Sequence, residues 1–69
     1  MRAENFYFAI KGLGLTIKEF AEILEVSYPT ARKYAHDPES ISGKHLLKFL
    51  KSDVCKRNNF TFNDFIKAI

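Results

Sequence analysis

The stretch from Leu15 to Tyr34, LTIKEFAEILEVSYPTARKY, narrows the choice of fold most, because only Glu25, Val26 and Ser27 separate two short apolar-periodic runs. Ile17, Phe20, Ala21 and Leu24 fall at i, i+3, i+4 and i+7, with Ile23 beside them, and leave Lys18, Glu19 and Glu22 to water. Thr16 and Glu19 stand at capping-box spacing, so a helix is expected over residues 17–24. Ser27 is the next cap. Pro29 follows in the first turn, where a missing amide proton costs nothing, and a second helix is expected over 28–35. So short a turn makes the two helices cross steeply, which requires small residues where the backbones approach; Ala21 and Ala31 meet that need. At about 100° per residue, Ala31 and Tyr34 share one side of the second run, and Tyr28, Pro29, Arg32, Lys33 and His36 share the other, exposed side.

The rest of the chain is also helical in spacing. Phe6, Ala9, Ile10 and Leu13 mark a helix over about 3–13, closed by Gly14 as a left-handed residue. Pro38 drives Asp37 out of the helical region and ends the helix before it. Ser42 caps a further helix over 43–52 with Leu46, Leu47, Phe49 and Leu50 on its face, and Cys55 falls near its end as a small apolar residue. Beyond the polar KRNN at 56–59, Thr61 and Asp64 form a carboxylate capping box, and Phe62, Phe65, Ile66 and Ile69 repeat the helical pattern over 62–68. With no internal repeat and no β-type alternation, five helices account for an all-α chain. At 69 residues and 46% hydrophobic side chains, residues 1–69 make one small domain.

Function classes fall away in turn. A single cysteine, Cys55, cannot form an intramolecular disulfide, which points to a reducing, cytoplasmic setting. No run nears the roughly 20 apolar residues of a membrane span, and no secretory-signal layout is visible at the N-terminus. His36 and His45 lack further ligands at metal spacing, so both read as surface residues and no metal is expected. GLG at 12–14 follows a helix instead of a strand, and SGKH at 42–45 lacks the remainder of a phosphate-binding loop. Without a nucleophile and its base or a carboxylate pair in a cleft, no enzyme, cofactor or small-molecule substrate is expected.

What remains is placement of charge. The net charge is +3, and two of the cations, Arg32 and Lys33, ride with Tyr28 on the free side of a helix thrust outward N-terminus first. That shape fits a DNA major groove, about 12 Å wide. Here the chain resembles the lambda repressor and Cro type of helix-turn-helix domain. The resemblance rests on GLT at 14–16, EFAEIL at 19–24, EVS at 25–27 and TARKY at 30–34. SGKHLLKFL at 42–50 and FTFNDFI at 60–66 stand where that family has its fourth and fifth helices. It implies a compact five-helix domain with the motif in helices two and three, and a sequence-specific regulator, a small phage or bacterial repressor that binds a double-stranded operator.

The resemblance also implies roles. Tyr28, Pro29, Thr30, Arg32 and Lys33 occupy the part of the second motif helix that reads base edges in relatives. Arg32 matches the O6 and N7 of guanine, Tyr28 and Pro29 offer apolar surface to a thymine methyl, and Lys33 suits phosphate. His36 is a phosphate neighbour when protonated, and Lys44 is placed for phosphate at the start of its helix. Glu25 stands where the family usually has glycine, so a positive φ is expected there, at roughly 1 kcal/mol for a non-glycine residue. Ile17 and Pro29 replace polar residues that relatives often use on DNA.

A second reading stays open. Arg32 and Lys33 are also what an ordinary solvated helix face carries, and Ile17, Glu25, Pro29 and an outward Phe8 suit a protein-binding modulator or antirepressor built on the same fold. Pairing into a homodimer, through Phe8 or the C-terminal helix, is expected of a reader with so few contacts, although the same helix can equally close the monomer core.

Overall fold

Thr16 behaves as its spacing requires. Its hydroxyl accepts from the Glu19 amide at 3.1 Å, and the Glu19 carboxylate accepts from the Thr16 amide at 2.9 Å, so two orphan donors are satisfied reciprocally. This box opens one of the six α-helices that the computed structural model shows among its described residues, 4–69: α1 (Glu4–Gly12), α2 (Ile17–Leu24), α3 (Tyr28–His36), α4 (Gly43–Leu50), α5 (Asp53–Arg57) and α6 (Phe62–Ala68). A 3-10 turn over Pro38–Ser40 joins α3 to the linker before α4. The helices fold into a body of 27 × 26 × 21 Å with no strand among the described residues. The expected start of the first helix at Ala3 lies outside the described residues.

Three helix ends are closed by one device. After α1, the Leu15 amide reaches the Ile10 carbonyl and the Gly14 amide the Lys11 carbonyl. After α2, Val26 pairs with Ala21 and Glu25 with Glu22; after α5, Phe60 pairs with Cys55 and Asn59 with Lys56. These are Schellman closures, and each needs one left-handed residue. Gly14 adopts φ 83°, Glu25 φ 59° and Asn59 φ 54°. Only the first is glycine, so Glu25 carries the backbone strain expected of it.

Edge-to-face rings fill the core. Phe6 meets Phe20, Phe49 and Phe65 at centroid distances of 5.9, 5.9 and 5.1 Å, and Phe20 meets Phe49 at 5.1 Å, all near perpendicular. One residue from each of α1, α2, α4 and α6 thus meets in a single cluster, a geometry that adds about 0.5–1.5 kcal/mol per pair beyond the area buried. Ala21, Ala31 and Ala35 complete it where α2 and α3 cross.

Four expectations are corrected. The helix expected over 43–52 ends at Leu50, and Ser52 caps a separate α5 in place of continuing it, giving six helices instead of five. The Ser52 hydroxyl turns back to the Phe49 carbonyl, which satisfies an end of α4. Cys55 therefore belongs to α5, fully buried, where burial pushes its thiol up from the ordinary range. Leu47 is not on the buried face of α4; on α6, for which core closure and an outward apolar face both stood open, Phe65 is buried and Phe62 and Ile66 are about half exposed. Lastly, His45 is half-buried and not a free surface residue.

Candidate functional site

Helix α3 is held from three directions. Ala31, Tyr34 and Ala35 face the core, and α2 makes the most extensive contact with it. The Tyr34 hydroxyl lies 3.0 Å from Nδ1 of His45, which ties α3 to the first turn of α4. On the α1 side the Tyr7 ring stacks on His36 at 4.9 Å and 19°, while the Lys11 ammonium sits 5.6 Å from the same ring. The turn before α3 is braced as well: the Lys48 ammonium donates to the Glu25 carboxylate at 2.8 Å and holds that carboxyl below its ordinary range.

The remaining side of α3 is open. Tyr28, Pro29, Arg32, Lys33 and His36 are all exposed and line one shallow depression of about 390 Å³. Five of the seven residues singled out from the sequence are thus brought together. The side chains of Arg32 and Lys33 make no hydrogen bond or ion pair among the described residues. Lys33 and His36 also lie in the last turn of α3, where positive charge complements the helix dipole.

Two residues stand apart. Thr30 is half-buried, and its backbone and hydroxyl are both engaged by Ser27, at 3.4 and 3.0 Å, so it serves the cap of α3. Lys44 is exposed in the first turn of α4, outside the depression, and the residue after it is the His45 that Tyr34 holds. Of the supports themselves, Tyr7 and Lys48 were not singled out from the sequence, and His45 was read there only as a surface residue. Helical spacing places each on a side of its own helix but does not say which helix comes to meet it.

Among the described residues no group of three or more His, Cys, Asp and Glu can hold a metal ion. No described helix is long and apolar enough to cross a membrane. Comparisons with models of protein families, with curated proteins and with solved structures found no match.

Proposed function

We propose that this chain is a sequence-specific DNA-binding regulator of the lambda repressor and Cro type, acting in the cytoplasm by occupying an operator with α3 in the major groove. The observation that carries the reading is the open side of α3, where two cations without protein partners share one depression with Tyr28 and Pro29. Nine residues at 1.5 Å each make α3 about 13 Å long, enough to follow three to four base pairs along a groove about 12 Å wide. Arg32 supplies the bidentate contact to guanine, Lys33 and Lys44 hold phosphate, and His36 adds charge when protonated. A homodimer, paired through Phe8 or through Phe62 and Ile66 of α6, doubles the contacts across two half-sites.

The test is selection from random duplexes at moderate salt with the purified chain. An enriched sequence whose affinity depends on Arg32 supports the reading; no enrichment, or indifference to Arg32→Ala, refutes it. One observation favours a second reading: Phe8 is 64% exposed on α1 and does not line the depression, which suits a protein-binding modulator or antirepressor. Salt separates the two. A DNA complex weakens steeply as salt rises through counterion release, and an apolar protein complex does not.

A further inference from the structure

The residues along the open side of α3 differ in what they can recognise. Tyr28 and Pro29 form its N-terminal end, Arg32 its middle, and Lys33 and His36 its C-terminal end. None is Asn or Gln, the side chains that pair with the N6 and N7 of adenine, and none is Asp or Glu, which accept from N4 of cytosine. The half-buried Thr30 hydroxyl accepts from Ser27 at 3.0 Å, and as a group that serves several bases it singles out none. Two discriminating chemistries are left for the N-terminal half, a guanidinium fork for guanine and an apolar surface for a methyl group. Beside them the Tyr28 hydroxyl can donate or accept, and so does not by itself tell an O4 acceptor from an N4 donor. One helical turn, about 6 Å of rise, separates Tyr28 from Arg32, or roughly two base pairs along the groove.

From this we infer that the site reads the C5-methyl group of a pyrimidine one to two base pairs from a guanine, and reads that methyl in place of the base that bears it. The inference rests on the DNA-reading proposal above. Thymine and 5-methylcytosine present the same methyl in the major groove and differ beside it, in an O4 acceptor against an N4 donor and in the purine opposite. No carboxamide or carboxylate stands on this side of α3 to tell those edges apart. 5-Methylcytosine is therefore accepted where thymine is, and unmodified cytosine is not, which makes occupancy of such a site sensitive to cytosine methylation.

The experiment uses the duplex enriched by the wild-type chain. Each thymine within two base pairs of a guanine is replaced singly by deoxyuridine, and the critical T·A pair then by C·G and by 5-methyl-C·G. Removing the methyl at one position is expected to weaken binding about fourfold, the value of one buried methyl group. At that position 5-methyl-C·G should bind within about twofold of T·A, and unmodified C·G about fourfold more weakly than its methylated form. Tyr28→Ala should reduce the methyl effect to less than about twofold, and Tyr28→Phe should keep it, which separates the ring from its hydroxyl. Tyr28 is half exposed, and a thermal melt establishes that each variant folds.

Enrichment of a site at which no deoxyuridine weakens binding overturns this inference and leaves the DNA-reading proposal standing. So does equal binding of methylated and unmethylated C·G, or a methyl effect that survives Tyr28→Ala. Failure to enrich any sequence overturns both.

Discussion

The two sides of α3 are built on opposite terms. Inward, Ala31 and Ala35 are fully buried, and Tyr34 has its hydroxyl at His45. Outward, five larger side chains lie exposed, and the two permanent cations among them have no partner among the described residues. A nine-residue helix is marginal alone, so the inner side must supply its stability. The outer side is then free to be chosen for something else, and separating the two tasks is the experiment that matters.

Truncating the inner side should do the most damage. Tyr34→Ala removes a buried aromatic and leaves a cavity worth about 3–5 kcal/mol, a large share of what a domain this small possesses. A melting temperature lower by more than about 12 °C is expected in a calorimetric scan. Survival of the fold with a shift of a few degrees would erase the contrast.

Arg32→Ala tests the other side. Stability should stay within about 0.5 kcal/mol, while affinity for the selected duplex falls by about 1–3 kcal/mol, or roughly 5- to 150-fold. Tyr34→Phe is subtler, since it keeps the ring and removes one hydrogen bond. A loss of about 1 kcal/mol in denaturant unfolding is expected, with the selected sequence unchanged. Lys44→Ala should weaken binding to all sequences alike and lower the log–log salt slope by about 0.9; an unchanged slope would show that it touches no phosphate.

The smallest effect is pH dependence at the turn. Lys48 lowers the pKa of the Glu25 carboxyl, so the stability it brings is present above the unfolded value near 4.5 and is lost as pH falls through the lower folded value. Asp64 is lowered as well, by the Thr61 amide and hydroxyl, and its contribution is present above its own unfolded value near 3.8 and lost as pH falls through the lower folded value. Comparing Lys48→Gln with the wild type cancels the Asp64 part. The difference in melting temperature between the two should be small at pH 7 and vanish once the pH lies below the lowered folded value, which shows how far the pair contributes to the stability of the turn before α3.

Much of this was legible in the residues themselves. Both capping boxes form, the turn at Glu25 to Ser27 stands between α2 and α3, and Gly14 takes the left-handed conformation assigned to it. Those features are local, fixed by side chains three or four positions apart. The helix α5 was missed because five residues, of which only Val54 and Cys55 are apolar, are too few to show a helical period of their own. Its signal was Ser52 followed by Asp53, a cap and an acidic first turn. On α6 the periodicity left core and outward roles open because it counts apolar residues without knowing how much neighbour there is to cover them. At the site, angles along α3 sorted inner from outer residues, whereas Tyr7 against His36 and Tyr34 against His45 depend on how separate helices come together.

The bond between Tyr34 and His45 has a mechanical consequence. Tyr34 is two positions from Arg32, and His45 adjoins Lys44, so the link makes α3 and the start of α4 a single jig with a fixed gauge. In the proposed complex, this link adds to the core packing that holds the part placed for the sugar-phosphate rail beside the part placed for the bases. Were the chain to read DNA as proposed, a misplaced grip would present the wrong letters, and alignment and text would be tested in one act.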